Sequence, residues 1–173
     1  MDSDSDKKKL DNKPEPILAV IDDISQINSI IISFWGKNSI YDNQFYYKVL
    51  KENLSYVYKI DNEIIAVCLV DCFHKEKQIS IALLCVKKAY KRNGLGKSLL
   101  QFCIDNSIQK GYNEIYLHVA TTNGNAIKLY EKCGFHKIEF VRNYYTIDRP
   151  PHNNAYLMRL GKGNKREKSL DDS

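Results

Sequence analysis

The 173-residue chain predicts an α/β protein, a mixed sheet with helices packed on it. Three observations lead there. Apolar residues recur at period two in some segments and near 3.6 in others. The segments follow one another as β-α-α-β-β-β-α-β-α-β-β, so antiparallel hairpins lead into βα units. Finally, an apolar run, 81–86, passes through a glycine-containing turn into an amphipathic helix.

Residues 1–15 are charged and, with Pro14 and Pro16, predict a disordered lead-in. A short strand is expected at 17–21. Asp22 and Asp23 then cap a helix whose inner face is Ile27, Ile30, Ile31 and Phe34. A second helix spans 42–51 with Phe45, Val49 and Leu50 inward. Strands follow at 55–60, 64–73 and 78–86; Asp61-Asn62 turns the first pair and the charged segment 74–77 the second. The unbroken apolar run Ile81 to Val86 is expected to be a central strand buried on both faces. The next helix, 94–110, carries Leu95, Leu99, Phe102 and Cys103 at helical spacing. A strand at 114–120, a helix at 125–132 ended by Gly134, and strands at 135–141 and 155–160 complete a domain of 16–161. Residues 162–173 are Gly, Lys and Asp rich and read as a flexible tail.

Composition narrows the function. No apolar stretch reaches the roughly 20 residues of a spanning helix. The first six residues lack a basic start and an apolar core, so they are not a signal peptide. Five cysteines, with Cys68, Cys85 and Cys103 inside apolar patterns, fit reduced thiols and a cytoplasmic or nuclear setting. Net charge is +5. Residues 1–15 hold four Lys against five Asp/Glu and 162–173 hold four Lys/Arg against three, so the excess sits on the body. That suits an anionic ligand and is too mild to point to nucleic acid. Cys72-x-His74 and Cys133-x-x-His136 do not have the spacing of a closed zinc site, so no metal is expected.

The turn Lys91-Arg92-Asn93-Gly94-Leu95-Gly96-Lys97 is the chemical signal. Gly94 and Gly96 permit backbone conformations closed to other residues and a close ligand approach. The helix they open leaves N–H groups unpaired with about half a positive charge, which suits pyrophosphate. Lys91, Arg92 and Lys97 add positive potential. A solvated helix start would have the same residues. Gly96-Lys97-Ser98 ends like a P-loop, but that loop needs a glycine where Lys91 stands, and no GxGxxG is present. On the strand 114–120, Tyr116 and His118 share a face opposite Ile115, Leu117 and Val119. A histidine there suits a general base near pH 7, and equally a structural hydrogen bond.

The stretch Val86-Lys87-Lys88-Ala89-Tyr90-Lys91-Arg92-Asn93-Gly94-Leu95-Gly96 resembles the acetyl-CoA signature (R/Q)xxGxG/A of the GNAT acetyltransferases. Tyr116-Leu117-His118-Val119, Thr121-Thr122-Asn123, Ala126-Ile127, Leu129-Tyr130-Glu131, Gly134-Phe135 and Asn143-Tyr144-Tyr145 extend the resemblance to N-terminal acetyltransferases of the NatE/NatF type. It is close over 80–160 and weak before Tyr41. It implies a GNAT fold of about seven strands and four helices, with a splay between two parallel strands, 78–86 and 114–120. Pantetheine would pair with the splayed strands, and an amide near Leu84 or Cys85, ahead of Val86, would face the thioester oxygen.

The resemblance further implies acetyl transfer from acetyl-CoA to protein N-termini, Met-initiated with an apolar second residue, by direct attack of the amine. Within it, residues 84–86, 91–97, Asn123 and Tyr130 hold the cofactor, His118 is the base, and Tyr130 protonates the departing thiolate. Tyr41, Tyr116, His118, Tyr144 and Tyr145 line the substrate groove, and an auxiliary complex subunit is a possible partner. Two positions depart from the family pattern. Lys91 replaces Arg/Gln, and Ser80 stands where relatives carry a catalytic tyrosine. A lysine or small-amine acetyltransferase, or a low-activity CoA-binding subunit, would share these features. The segment 34–40 departs from the usual Phe/Leu-Pro-Val pattern and looks longer, which leaves the pocket for the first substrate residue open.

Overall fold

The structure is a computed structural model that describes residues 7–37, 41–145 and 153–161. The expected tail at 162–173, the first six residues, Asn38–Ile40 and Pro150-Pro151 lie outside the described residues. Seven strands form one sheet: β1 (Ile17–Leu18), β2 (Tyr56–Ile60), β3 (Glu63–Phe73), β4 (Gln78–Val86), β5 (Glu114–Ala120), β6 (Phe135–Val141) and β7 (Ala155–Leu160). Four helices pack on it: α1 (Ile24–Trp35), α2 (Asn43–Leu50), α3 (Leu95–Gln109) and α4 (Gly124–Lys132). The strand order is β1-β2-β3-β4-β5-β7-β6, antiparallel except for the parallel pair β4 and β5.

Two apolar layers hold the sheet. On one face Leu95, Leu99, Leu100, Cys103 and Ile104 of α3 meet Ile79, Ile115, Leu117 and Met158. On the other, Ile27, Ile30 and Ile31 of α1 and Tyr46, Val49 and Leu50 of α2 meet Val57, Ile64, Val67 and Leu69. Burying such side chains is the dominant favourable term, about 25 cal/mol per Å² of apolar surface. β3 lies between both layers, and every residue from Ile64 to Val70 is buried. This corrects the expectation for 81–86. In β4 burial alternates along the whole strand, with Ala82, Leu84 and Val86 half-buried.

The caps differ in one place. Asp42 caps α2 through Phe45 N–H as expected (2.8 Å). Asp22 and Asp23 instead lie in a 3-10 turn, Ile21–Asp23. There Asp23 accepts from Val20 N–H (3.0 Å) and pairs with Lys59 (2.6 Å) while nearly fully buried. Compensating that buried charge is a stronger demand than capping.

At the opposite end, residues 8–10 of the expected lead-in hydrogen-bond to Ala89 and Asn93.

Candidate active site

β4 and β5 pair only from Gln78↔Glu114 to Ile81↔Leu117. The cause lies on the other side of β4. Leu69 opposes Leu83 while Val70 opposes Ile81, so Ala82 is an extra residue, a β-bulge. Before it, Ile79 and Ile81 face the α3 layer; after it, Leu83 and Cys85 face the α1/α2 layer. The bulge re-aims the strand where pairing with β5 ends, so Ala82–Val86 present backbone to a wedge-shaped opening. Tyr41 Oη donates to the Ala82 carbonyl (2.9 Å), supporting the bulge from the α1/α2 side. The sequence could not show this, because an apolar run looks alike whichever face its residues take.

One lip of the opening is the turn. Gly94 has φ +70° and is the N-cap of α3, with no side-chain cap on the orphan N–H groups. Gly96 has ordinary backbone angles, and a Cβ there would sit 3.5 Å from Val86 Cγ2, an ordinary contact. Of the conformational freedom expected at both glycines, only Gly94 uses the left-handed region. Gly94 requires the left-handed region, and so does Arg92 at φ +70°. Lys91 Nζ lies 4.8 Å from the Phe34 ring centre. Among the described residues, Lys91, Arg92 and Lys97 make no ion pair with a carboxylate. Asn93 uses its side-chain amide on residues 8 and 10, so it braces the turn rather than facing outward. Asn123 caps α4, accepting from Ala126 N–H (3.2 Å).

The other lip is aromatic and uncharged. His118 stacks on Tyr144 with ring centres 4.0 Å apart and planes at 11°. Burial pulls the imidazole below its ordinary value of 6.5, with a smaller opposing pull from Glu139, so it is neutral at pH 7. Tyr144 meets Tyr145 edge-on (4.9 Å), and Tyr145 N–H donates to Asn153 O (2.9 Å). Burial pushes Tyr41 and Tyr145 up to about 12, each also raised by the neighbouring phenols. Tyr130 is buried and edge-on to Phe135, and burial holds its phenol far above the ordinary value of 10. Cys85 is pushed up to about 12 by burial, so it is a core thiol and no nucleophile.

One expected groove residue and Ser80, which departs from the family pattern, lie on the paired part of the strands. Tyr116 donates to Glu114 (3.1 Å) and sits on the paired part of β5. Ser80 is its register partner across β4, half-buried on the face that carries His118. Glu139 is the residue that sequence reasoning missed. It stands on β6 opposite Leu157, itself the partner of His118, and the mixture of polar and apolar residues in β6 gave no sign of which face mattered. Among the described residues no three His, Cys, Asp or Glu side chains form a metal set. His74 instead contacts Tyr112 (2.8 Å) and Glu52 (3.2 Å).

The chain matches a known family model, Acetyltransferase (GNAT) family, over residues 22–135. The chain belongs to the GNAT acetyltransferase family. N-alpha-acetyltransferase 50 of Danio rerio is 35% identical over 114 residues, 64% of this chain and 68% of that protein. An N-alpha-acetyltransferase of the archaeon Sulfurisphaera tokodaii is 29% identical over 155 residues, 82% of this chain and 87% of its own. The fold superposes on Arabidopsis thaliana Naa50 in complex with the bisubstrate analogue CoA-Ac-MVNAL, with TM-score 0.73 and 22% identity, covering 85% of this chain and 97% of that one. Within the GNAT frame, the seven-stranded sheet with its parting between β4 and β5 is the architecture that the sequence led one to expect.

Proposed function

We propose that this GNAT enzyme moves the acetyl group of acetyl-CoA to the α-amine of protein N-termini, by direct attack of the amine. One observation carries the reading. Past Ile81 the backbone of β4 is unpaired by β5; among the described residues, the three cations of the turn that follows β4 pair with no carboxylate, and neutral phenols surround a neutral imidazole on β5. The residues fit the donor: N–H groups at the start of α3 with Lys91, Arg92 and Lys97 would hold pyrophosphate, and residues 84–86 would pair with the pantetheine amides. The similarity to N-alpha-acetyltransferases supports the choice of amine.

The chain's groups then divide the work. His118 takes the amine proton, directly or through one water. A peptide α-amine has a pKa near 7.7–8.0, so roughly a tenth to a fifth is neutral at pH 7. That small demand lets Ser80 stand where a second base is usual. Tyr130 offers its hydroxyl to the departing thiolate as hydrogen-bond and proton donor. Tyr144 and Tyr145 offer hydroxyls to the peptide backbone, and the Tyr41 oxygen, its own proton on Ala82 O, can accept from it. Met followed by an apolar residue is the proposed substrate class. Initial rates on Met-Leu, Ala/Ser and N-blocked Lys peptides test this: Met-Leu is expected to be fastest. A preference for the blocked Lys peptide would move the enzyme to the lysine class. CoA binding without turnover on any peptide would make it a binding subunit.

A further inference from the structure

Residues 8–13 cross the turn that the proposed function assigns to the phosphates. Lys8 N–H donates to Ala89 O (2.7 Å). Asn93 then grips the segment with both ends of its amide: Nδ2 donates to Lys8 O (2.8 Å), and Oδ1 accepts from Leu10 N–H (3.0 Å). The same Nδ2 also donates to Tyr90 O (3.0 Å), which locks the amide to the turn itself. Leu10 packs against the α3 core layer, and Lys8 Nζ reaches Tyr90 Oη (3.4 Å). These grips read backbone and one apolar side chain, which is why the charged composition of the segment did not reveal them.

The segment ends with a cation in an unfavourable place. Lys13 Nζ lies 3.3 Å from where a Cβ on Gly94 would stand, at the uncapped start of α3. A helix N-terminus repels an ammonium group. Lys91, Arg92 and Lys97 are close by in sequence and add to the repulsion. Among the described residues no carboxylate pairs with Lys13. An anion seated between them adds an attraction to each of these positive groups, which offsets their mutual repulsion.

We propose that residues 8–13 form a strap, pinned by Asn93, that brings Lys13 over Gly94 as a further cation for the phosphates of the acyl-CoA donor. The strap rests on the reading of the turn as the CoA site. It makes Asn93 a positioning residue, acting through Lys13 rather than on the donor. Because Lys13 acts on phosphate alone, its contribution vanishes with a donor that has none.

The experiment uses the full-length enzyme with two donors, acetyl-CoA and phosphate-free S-acetyl-pantetheine, and CoA calorimetry at low and high salt. Lys13→Ala is expected to weaken CoA about two- to fivefold at low salt, as an exposed charge does, and to lower kcat/KM for acetyl-CoA alike. High salt shrinks the difference. With S-acetyl-pantetheine the variant matches wild type. Asn93→Ala gives a similar loss, and adding Lys13→Ala to it costs little more, the non-additivity of residues that act together. Equal losses with both donors, fully additive losses, or an unchanged CoA affinity would each overturn the strap. Tighter CoA binding by Lys13→Ala would do so too, by showing that the lysine plugs the site. A wild-type enzyme that uses S-acetyl-pantetheine as well as acetyl-CoA and does not bind CoA overturns the reading of the turn itself.

Discussion

The two ends of the β4 and β5 pair are built from similar residues and behave differently. At the closed end, Gln78–Ile81 pair with Glu114–Leu117, and Ile79, Ile115 and Leu117 are buried under α3. At the open end, past the extra residue Ala82, the backbone of β4 loses β5, and its buried side chains, Leu83 and Cys85, turn to the α1/α2 layer. Pairing satisfies backbone groups that would be costly to leave unpaired in the interior. The bulge removes that satisfaction at one place, beside a helix N-terminus, and keeps it elsewhere. The lesson is that this site is a local interruption of a well-packed sheet, so stability and ligand binding are separable along one strand.

Mutations can break that separation. The largest effect is expected at the closed end. Ile79→Ala, at a fully buried position, costs about 2–5 kcal/mol in urea unfolding while leaving KM for acetyl-CoA unchanged in the folded fraction. A raised KM would show that the two ends are not independent.

At the open end, His118→Ala is expected to lower kcat at least tenfold near pH 7, with folding intact. The pH profile sharpens this. The imidazole lies below 6.5, so it loses its base function only as pH falls through that lowered value. The amine governs the limb near 7.7–8.0. Wild type should therefore show a steeper acid limb than His118→Ala, which follows the amine alone. Identical limbs would remove His118 from the mechanism.

Reversing charge on one lip, Lys91→Glu with Arg92→Glu, is expected to raise KM for acetyl-CoA about tenfold and leave kcat on saturating donor near wild type. The smallest effects separate the two glycines. Gly94→Ala forces an L residue into the left-handed region and costs about 1–2 kcal/mol in thermal unfolding. Gly96→Ala meets only ordinary contacts and leaves stability within about 0.5 kcal/mol.

The sequence spoke clearly where punctuation and period agree. Gln78–Val86, Glu114–Ala120 and Phe135–Val141 lie between turn residues, and the structure keeps those bounds. The bulge at Ala82 was hidden, since Ile81–Val86 is apolar on both faces of any register. The parting of the strands came from the family resemblance, not from periodicity. On one lip, the cations of the turn were plain in the sequence. On the other, the stacking of Tyr144 on His118 depends on a connection between β6 and β7 that no local pattern encodes. The grip of Asn93 on residues 8 and 10 was equally silent, because an amide that binds backbone leaves no mark on the residues it holds.

The central claim is that the open end of β4 delivers acetyl to an α-amine without an acetyl-enzyme. Fragment-ion mass spectrometry of the product decides it, using a Met-Leu peptide that has a free N-terminus and an internal lysine. The acetyl group is predicted on the α-nitrogen, with the enzyme itself unmodified at Cys85. Acetyl on the lysine ε-nitrogen, or an acetylated Cys85 in the absence of peptide, would contradict the account.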